Sequence, residues 1–197
     1  GHPLLAYTVR VACLTKSIDR VIVSTDSKKY ASIAKEYGAE VPFLRPVEIS
    51  EDDSTDLEVF THAIHWLREK EGYLPDICIH LRPTYPIRNV QDINHAIQMV
   101  IDNPDIDSVR SVVPVNETPF KMWFRDKDGF LSPAVKTEIS DACNLPRQDL
   151  PQAYLQNACI DVVKTRVIIE QQSMTGSNIN SYVMEDNFDI DTEKQWH

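Results

Sequence analysis

Residues 19–38, DRVIVSTDSKKYASIAKEYG, decide the fold class because they join an apolar run directly to a segment of helical periodicity. Residues 21–23 form a continuous apolar run that ends in polar residues, which is typical of a buried parallel strand. Ser27 then begins a predicted helix, and Gly38 ends it as the C-cap. A strand that leads directly into a helix is the repeating unit of an α/β sheet.

The same alternation recurs along the rest of the chain. Further strands are predicted at residues 40–46, 75–86, 107–115, 156–165 and 178–184, and further helices at residues 2–14, 50–73, 90–104 and 165–172. We therefore expect an α/β fold with a doubly wound, mostly parallel sheet flanked by helices. The length of 197 residues fits a single domain that spans residues 1–197.

Residues 119–133 interrupt the alternation and are predicted to form a β-hairpin with its turn at Asp128 and Gly129. An irregular polar segment follows at residues 134–151. The hairpin contains a group of apolar side chains that is too large to leave in water, namely Phe120, Met122, Trp123 and Phe124. We therefore expect residues 119–157 to form an inserted arm that joins two copies of the chain into a homodimer.

The charge of the chain narrows its possible partners. The formal net charge is −10 and the pI is about 5.0, which argues against a nucleic-acid polymer or an anionic membrane surface as the main partner. A nucleotide remains compatible, because a local basic cluster can hold phosphates inside an acidic protein. No apolar run is long enough to span a bilayer and no signal peptide is visible, so we expect a cytoplasmic protein.

Polar clusters follow several of the predicted strands. They lie at residues 24–26, 45–46 and 81–84. In open α/β sheets, ligands bind beyond the carboxyl ends of the strands, so we expect these clusters to contribute to one site. Arg45 and Arg82 add guanidinium groups, whose fork of N–H donors suits phosphate and carboxylate groups.

A pair of carboxylates, Asp189 and Asp191, stands two residues apart near the end of the chain. On an extended strand, residues at this spacing point to the same face, so both carboxylates would aim at one point. Mg²⁺ takes oxygen ligands and often binds through one or two carboxylates plus substrate phosphates, which makes the pair a candidate Mg²⁺ site. The alternative is that Asp191, followed by Thr192 and Glu193, caps a last helix.

Taken together, the motifs resemble those of the acylneuraminate cytidylyltransferases, which are the CMP-sialic acid synthetases and their relatives. The resemblance follows the order and spacing of five segments: VSTD at residues 23–26, LRPVEISEDDS at 44–54, LRPTYPIR at 81–88, PRQDLP at 146–151 and DIDTE at 189–193. It spans nearly the whole chain. It implies a Rossmann-like α/β fold of the nucleotidyltransferase type, with a projecting arm that forms a dimer and covers the partner's sugar site.

The resemblance also implies an activity and assigns residues to it. Members of the family transfer CMP from CTP to a nonulosonic, sialic-acid-like sugar acid and release pyrophosphate. Their closing aspartate motif, which holds the catalytic Mg²⁺, matches Asp189 and Asp191. Their cytidine contacts match Arg45, Ser54 and Asp56. Their sugar contacts match Arg82, Thr84, Arg147, Gln148 and Asn157.

Two departures from the family pattern keep alternatives open. The family usually has Gln where this chain has Arg82, so the acceptor is either a nonulosonic acid or another acid, such as Kdo or a phosphonate acid. The family also begins with a strand and a loop rich in Gly, Ser, Lys and Arg that grips the CTP phosphates, and nothing here corresponds to it. We expect that this N-terminal segment is missing from the sequence. A chain that truly lacks it would be a non-catalytic dimer that binds a nucleotide or a sugar.

Overall fold

The computed structural model describes residues 1–190. Within this range, the α-helices are α1 (Leu4–Leu14), α2 (Lys28–Glu36), α3 (Asp56–Glu71), α4 (Val90–Asp102) and α5 (Thr165–Glu170). The strands are β1 (Ile77–His80), β2 (Ser108–Pro114), β3 (Trp123–Arg125), β4 (Leu131–Pro133), β5 (Tyr154–Lys164) and β6 (Ile179–Val183). None of the described helices combines the length and the apolar character needed to cross a bilayer.

The main sheet has four strands in the order β1, β5, β2, β6. β5 is antiparallel to both of its neighbours, whereas β2 and β6 are parallel to each other. β1, β2 and β6 therefore run in the predicted common direction, and β5 runs against them. The reversal follows from the connection: the hairpin region, and not a crossover helix, joins β2 to β5, so β5 returns alongside β2.

Helices cover both faces of this sheet, which confirms the predicted α/β class. On one face, α4 packs against Val109 and Val162. On the other face, α3 and α5 pack against Val163. Successive side chains of a strand point to opposite faces, so Arg110 and Asp161, which adjoin Val109 and Val162, lie on the α3 face.

A β-bulge interrupts the pairing of β2 with β5. The register shifts between the pair Arg110 and Asp161 and the next pair, Val112 and Gln156. Ala158, inside the bulge, has a φ of 56°, a left-handed conformation that residues other than glycine seldom adopt. The bulge therefore changes the faces to which the side chains point between the start of β5 and its end.

The predicted strands around residues 21–23 and 40–46 are wrong in their extent. Both segments are extended, but they share only an isolated parallel bridge between Ile22 and Glu40. Two hydrogen bonds support it, from Val23 N to Glu40 O (2.9 Å) and from Glu40 N to Val21 O (2.8 Å). A strand needs a longer ladder of such bonds, which neither segment forms with the described residues. The helix predicted after the first segment is present as α2.

The predicted hairpin is present, with β3 and β4 paired in antiparallel fashion. Asp126 shapes its turn, because its carboxylate accepts hydrogen bonds from Asp128 N (3.0 Å) and Phe130 N (2.9 Å). Gly129 has a φ of 96°, which a residue with a side chain would adopt only under strain. All the residues of both strands are exposed in this chain.

Candidate active site

The N-terminus of α3 directs Asp56 toward the sheet. Thr55 caps this helix with a capping box: its hydroxyl accepts a hydrogen bond from Glu58 N (3.3 Å), and the Glu58 carboxylate accepts one from Thr55 N (2.7 Å). Because the cap fixes the first turn, Asp56 has a defined position. Its carboxylate accepts a hydrogen bond from Arg82 Nη2 at 2.8 Å.

A row of polar side chains crosses the sheet on the α3 face. His80 of β1 stands opposite Asp161 of β5, and Asp161 in turn stands opposite Arg110 of β2. Asp161 is only 3% exposed. Its carboxylate accepts hydrogen bonds from Arg82 Nη1 (2.8 Å) and Gln156 Nε2 (3.2 Å), and it lies 3.4 Å from Arg110 Nε.

These contacts form an ion-pair network that consists of Asp56, His80, Arg82, Arg110 and Asp161. Arg82 lies between two carboxylates, at 2.8 Å from each. Burial, together with the charge of Arg82, lowers the pKa of His80 to about 4, so its imidazole is neutral at pH 7. The two guanidinium groups therefore balance the two carboxylates, and the network as a whole carries no net charge.

The segment that carries Asp189 is attached to the loop that follows β1. Ile190 N donates a hydrogen bond to Thr84 O at 2.9 Å. The Tyr85 hydroxyl donates one to Asp186 O at 3.2 Å, and the Tyr85 ring is fully buried. Two hydrogen bonds from one loop therefore fix the position of the backbone on either side of Asp189.

The side chain of Asp189 fits a cation ligand. Its Oδ1 atom is buried and has no hydrogen-bond partner among residues 1–190. A buried carboxylate oxygen without a donor is unfavourable, and a divalent cation would supply the missing positive charge. Asp191, the second predicted ligand, lies outside the described residues. Within residues 1–190, no three His, Cys, Asp or Glu side chains come together as a metal site.

A second polar group surrounds Arg45. Its backbone N–H donates to Thr25 O at 2.9 Å, which joins two of the loops predicted to contribute to the site. His62 of α3 packs its ring edge-on against Phe43, with 4.8 Å between the ring centroids. Burial lowers the pKa of His62, and the charge of Arg45 lowers it further. The charge of Arg45 therefore reaches His62.

Buried polar atoms that lack a hydrogen-bond partner are concentrated in these regions. In the described part of the chain they are Ser24 Oγ, Arg45 Nε, Thr61 Oγ1, His62 Nδ1, His80 Nδ1, Arg110 Nε and Asp189 Oδ1. Two of these nitrogens, in His80 and Arg110, do face carboxylates at 3.6 and 3.4 Å, although without hydrogen-bond geometry. Folded proteins pair nearly all buried polar atoms, so such a concentration indicates a place where a ligand supplies the partners.

Four predicted site residues lie outside this arrangement. The Ser54 hydroxyl accepts a hydrogen bond from Glu51 N (2.9 Å) in the turn before α3. Arg147 and Gln148 are exposed in a short 3₁₀ turn, and their side chains make no hydrogen bond to residues 1–190. Asn157 is 1% exposed, and its amide group is bonded inside the β-bulge, to the Ser111 hydroxyl among others.

The structure joins two predicted residues, Asp56 and Arg82, through a direct ion pair. It adds three that the sequence analysis did not identify: His80, Arg110 and Asp161. A signal was available for two of them, because Asp161 and Arg110 are charged residues inside apolar runs. A charge in a buried strand is costly unless it is paired, so its presence there predicts a partner, although not which one.

Comparison with known proteins identifies the family that the chain resembles. The sequence profile of the cytidylyltransferase family matches residues 1–185. A CMP-N,N'-diacetyllegionaminic acid synthase of Legionella pneumophila is 29% identical over 201 residues, which cover 100% of this chain and 83% of that protein. A protein of the same name from Campylobacter jejuni is 30% identical over 194 residues, 96% of this chain and 79% of that protein.

Solved structures show the same fold. A CMP:2-keto-3-deoxy-manno-octonic acid synthetase in complex with CTP superposes with a TM-score of 0.69 over 98% of this chain and 84% of the other, at 14% identity. A 4-diphosphocytidyl-2C-methyl-D-erythritol synthase gives a TM-score of 0.61 at 11% identity. These likenesses concern the fold alone and confirm the predicted nucleotidyltransferase type. Because the family profile covers nearly the whole chain, the motif order, the fold and the relatives lead to one conclusion: this chain belongs to the cytidylyltransferase family.

Proposed function

We propose that this protein transfers CMP from CTP to a nonulosonic sugar acid and releases pyrophosphate. The observation that supports the proposal most strongly is the group of buried polar atoms, from Ser24 Oγ to Asp189 Oδ1 in chain order, that lack a hydrogen-bond partner among the described residues. Asp56 and His62 lie six residues apart on α3, about 9 Å along its axis. This separation leaves room for a nucleotide near His62 and an acceptor near Asp56. The relatives named for CMP-sugar acid synthesis support this pairing of substrates.

The nucleotide is proposed to bind next to Arg45. As the family motif implies, we assign Arg45 and Ser54 to the cytidine, and we add His62. Arg45 Nε and His62 Nδ1 are buried and lack partners among the described residues, so each can take up a hydrogen bond with the nucleotide. Asp56, the other residue that the motif implies, is in this account at the boundary with the acceptor, because its carboxylate holds Arg82.

The acceptor belongs to the side of the ion-pair network. Arg82 donates one N–H to each of its two carboxylate partners, so its remaining N–H groups are available to a ligand. Thr84 lies in the same loop. Since the network has no net charge, we assign it to the hydroxyl and acyl oxygens of the acceptor and not to its carboxylate. Arg147 and Gln148 are exposed and fit the role of contacts to the acceptor on a second subunit. Asn157 supports the site indirectly, through the bulge.

In the proposed reaction, the anomeric hydroxyl oxygen of the acceptor bonds to the α-phosphorus of CTP as the bond to pyrophosphate breaks, and the hydroxyl proton passes to water. Arg45 and His62 hold the nucleotide and Arg82 holds the acceptor, so the chain contributes chiefly by positioning the two substrates. Asp189, together with Asp191, would hold Mg²⁺, and the unpaired Oδ1 of Asp189 supports this role. When bound, the metal offsets phosphate charge and lowers the pKa of the attacking hydroxyl.

The active assembly in this account is a homodimer formed through residues 119–157. Five large apolar side chains of the hairpin are 43% to 74% exposed in the single chain, namely Met122, Trp123, Phe124, Phe130 and Leu131. A group of large exposed apolar side chains of this kind often marks a protein interface. A second copy of the chain is the occupant that the family resemblance implies. The cytoplasmic location stays a prediction from the sequence.

The test is pyrophosphate release with each of the four ribonucleoside triphosphates against a panel of acceptors. The panel contains N-acetylneuraminic, N,N'-diacetyllegionaminic and pseudaminic acids, Kdo and a phosphonate acid. We expect release only with CTP, Mg²⁺ and a nonulosonic acid present together. Release with Kdo or the phosphonate alone would establish the alternative acceptor class, and nucleotide binding without any release would establish the non-catalytic alternative.

A matched pair of variants tests the nucleotide side. Arg45→Gln should raise the KM for CTP about tenfold or more, because one charge-assisted hydrogen bond is lost. Arg68→Gln changes an exposed arginine in the last turn of α3 and serves as the control. Equal KM values for CTP in both variants would remove Arg45 from the nucleotide site.

A further inference from the structure

Arg88 is a buried guanidinium for which the proposed reaction has no use. It is 9% exposed. Its Nε donates to Cys159 O (2.7 Å) and its Nη2 donates to Arg82 O (2.5 Å). Its Nη1 donates to Tyr85 O (2.5 Å) and to the Thr8 hydroxyl (2.7 Å). Burying a charged group is costly unless it is hydrogen-bonded, so these four hydrogen bonds are expected to stabilise the structure around Arg88.

The hydrogen bonds of Arg88 attach the loop that follows β1 to the sheet. Arg82 O and Tyr85 O belong to that loop, whereas Cys159 O belongs to the bulged strand β5. A planar guanidinium can serve acceptors that lie in several directions around its rim, whereas a lysine ammonium offers donors from one point only. The geometry of the loop therefore depends on an arginine at position 88.

The same loop holds the segment that carries Asp189. Thr84 O and the Tyr85 hydroxyl make the two hydrogen bonds to residues 190 and 186 described above. Burial lowers the pKa of the Arg88 guanidinium, and the charge of Asp189 is one of those that oppose this shift. Arg88 is thus connected to the backbone around Asp189 through this loop.

We propose that Arg88 is a positioning residue for Asp189: it anchors the loop that holds residues 186–190 and so fixes the direction of Asp189 Oδ1. The inference rests on the metal-binding role given to Asp189 in the proposed function. The effect is geometric and not electrostatic, because a positive charge near the site would by itself repel Mg²⁺. A variant that keeps the charge but loses the fork of donors separates the two effects.

The experiment measures Mn²⁺ binding to the whole chain in the presence of CTP, by electron paramagnetic resonance, with Mn²⁺ as a spectroscopic substitute for Mg²⁺. Arg88→Lys keeps the charge and removes most of the hydrogen bonds. Tyr85→Phe removes the hydroxyl that donates to Asp186 O and serves if Arg88→Lys does not fold. Tyr182→Phe is the matched control, because the Tyr182 hydroxyl donates instead to Asp92 Oδ1 at 2.8 Å.

We expect Arg88→Lys and Tyr85→Phe each to raise the Mn²⁺ dissociation constant about tenfold, the usual scale for loss of a group that orients a metal ligand. Amide hydrogen exchange at Ile190 should become faster in both variants and stay unchanged in Tyr182→Phe. Folded variants with the affinity of the parent protein would overturn the role of Arg88. A parent protein that binds no Mn²⁺ would instead overturn the metal-binding role of Asp189, and this inference with it.

Discussion

Asp161 shows how a single residue can carry a charge into the middle of a sheet. Its carboxylate is almost completely buried, and it faces Arg82 and Arg110 from the neighbouring loop and strand. If one partner of such a pair is removed, the other charge remains buried and unpaired. The three side chains should therefore contribute to stability as one unit and not as separate contacts.

A double-mutant cycle tests this coupling. Asp161→Asn alone should lower the free energy of unfolding by roughly 3 kcal/mol, because it removes the buried carboxylate that faces both guanidinium groups. The double variant Arg82→Gln, Asp161→Asn should be more stable than the sum of the single effects predicts, by about 1–3 kcal/mol. Urea titrations give all four values. Asp107→Asn, at a second buried aspartate that is paired with an arginine, is the control and should not couple to Arg82→Gln.

His80 should make stability depend on pH. Its pKa is about 4 in the folded chain and 6.5 in an unfolded one, so between these values only the unfolded state binds the proton. The free energy of unfolding should therefore fall as the pH is lowered from 6.5 to about 4. The full effect is up to about 3 kcal/mol, since one pKa unit corresponds to about 1.4 kcal/mol.

The measurement compares the parent protein with His80→Gln across this pH window. The variant lacks the titrating imidazole, so its stability should fall less on acidification. Identical pH dependence in the two proteins would show that His80 is not kept neutral by its surroundings.

At the scale of the element, the β-bulge of β5 determines where the site lies. It lets Asp161 face the ion-pair network while Asn157, four residues earlier, turns into the core. Asn157 Oδ1 accepts hydrogen bonds from the Ser111 hydroxyl (2.6 Å) and from Cys159 N (3.3 Å), which holds the bulge in place. Ala158 takes the left-handed conformation that the turn of the backbone requires.

Ala158→Gly should therefore be neutral or stabilise the fold by up to about 1 kcal/mol, because glycine adopts this φ without a Cβ clash. Ala96→Gly, in the regular helix α4, is the comparison and should cost about 1 kcal/mol or more. Thermal or urea unfolding of the two variants provides the test. A loss for Ala158→Gly as large as that for Ala96→Gly would show that position 158 is not strained.

Elements with local signals could be predicted from the sequence. Ser27 before α2 and the Asp128-Gly129 turn each depend on a few neighbouring residues. The strand around residues 21–23 could not, because a strand exists only through its partners, and this segment has an isolated bridge. The direction of β5 also depended on a long connection that the local pattern does not reveal.

The candidate site shows the same limit at the scale of the whole molecule. The prediction that the site lies beyond the strand ends followed from fold class, and the candidates Arg45, Arg82 and Asp189 followed from motif order. The pairing of Arg82 with Asp161 spans 79 residues and arises only when β1 and β5 adopt their observed register. Spacing within a sequence carries no information on such a pairing.

Substitutions in the arm should change the oligomeric state of the whole molecule. Phe124→Lys combined with Phe130→Lys should convert a dimer into a monomer, because two charges would have to be buried in the apolar contact. Ile101→Lys changes a similarly exposed apolar residue on α4, outside the arm, and should leave the dimer intact. Sedimentation velocity reports the state. A parent protein that sediments as a monomer would contradict the role of the arm.

In the proposed reaction CMP passes from CTP to the hydroxyl of a sugar acid, and the identity of the product shows whether it does. The protein is incubated with CTP, Mg²⁺ and an acceptor that carries a heavy-oxygen label at its anomeric hydroxyl, and the product is analysed by mass spectrometry. We predict a CMP-sugar that keeps the label in the bond between sugar and phosphorus, and almost none of it with Asp189→Asn. Formation of CMP without any CMP-sugar, or of a CMP-sugar that has lost the label, would contradict the account.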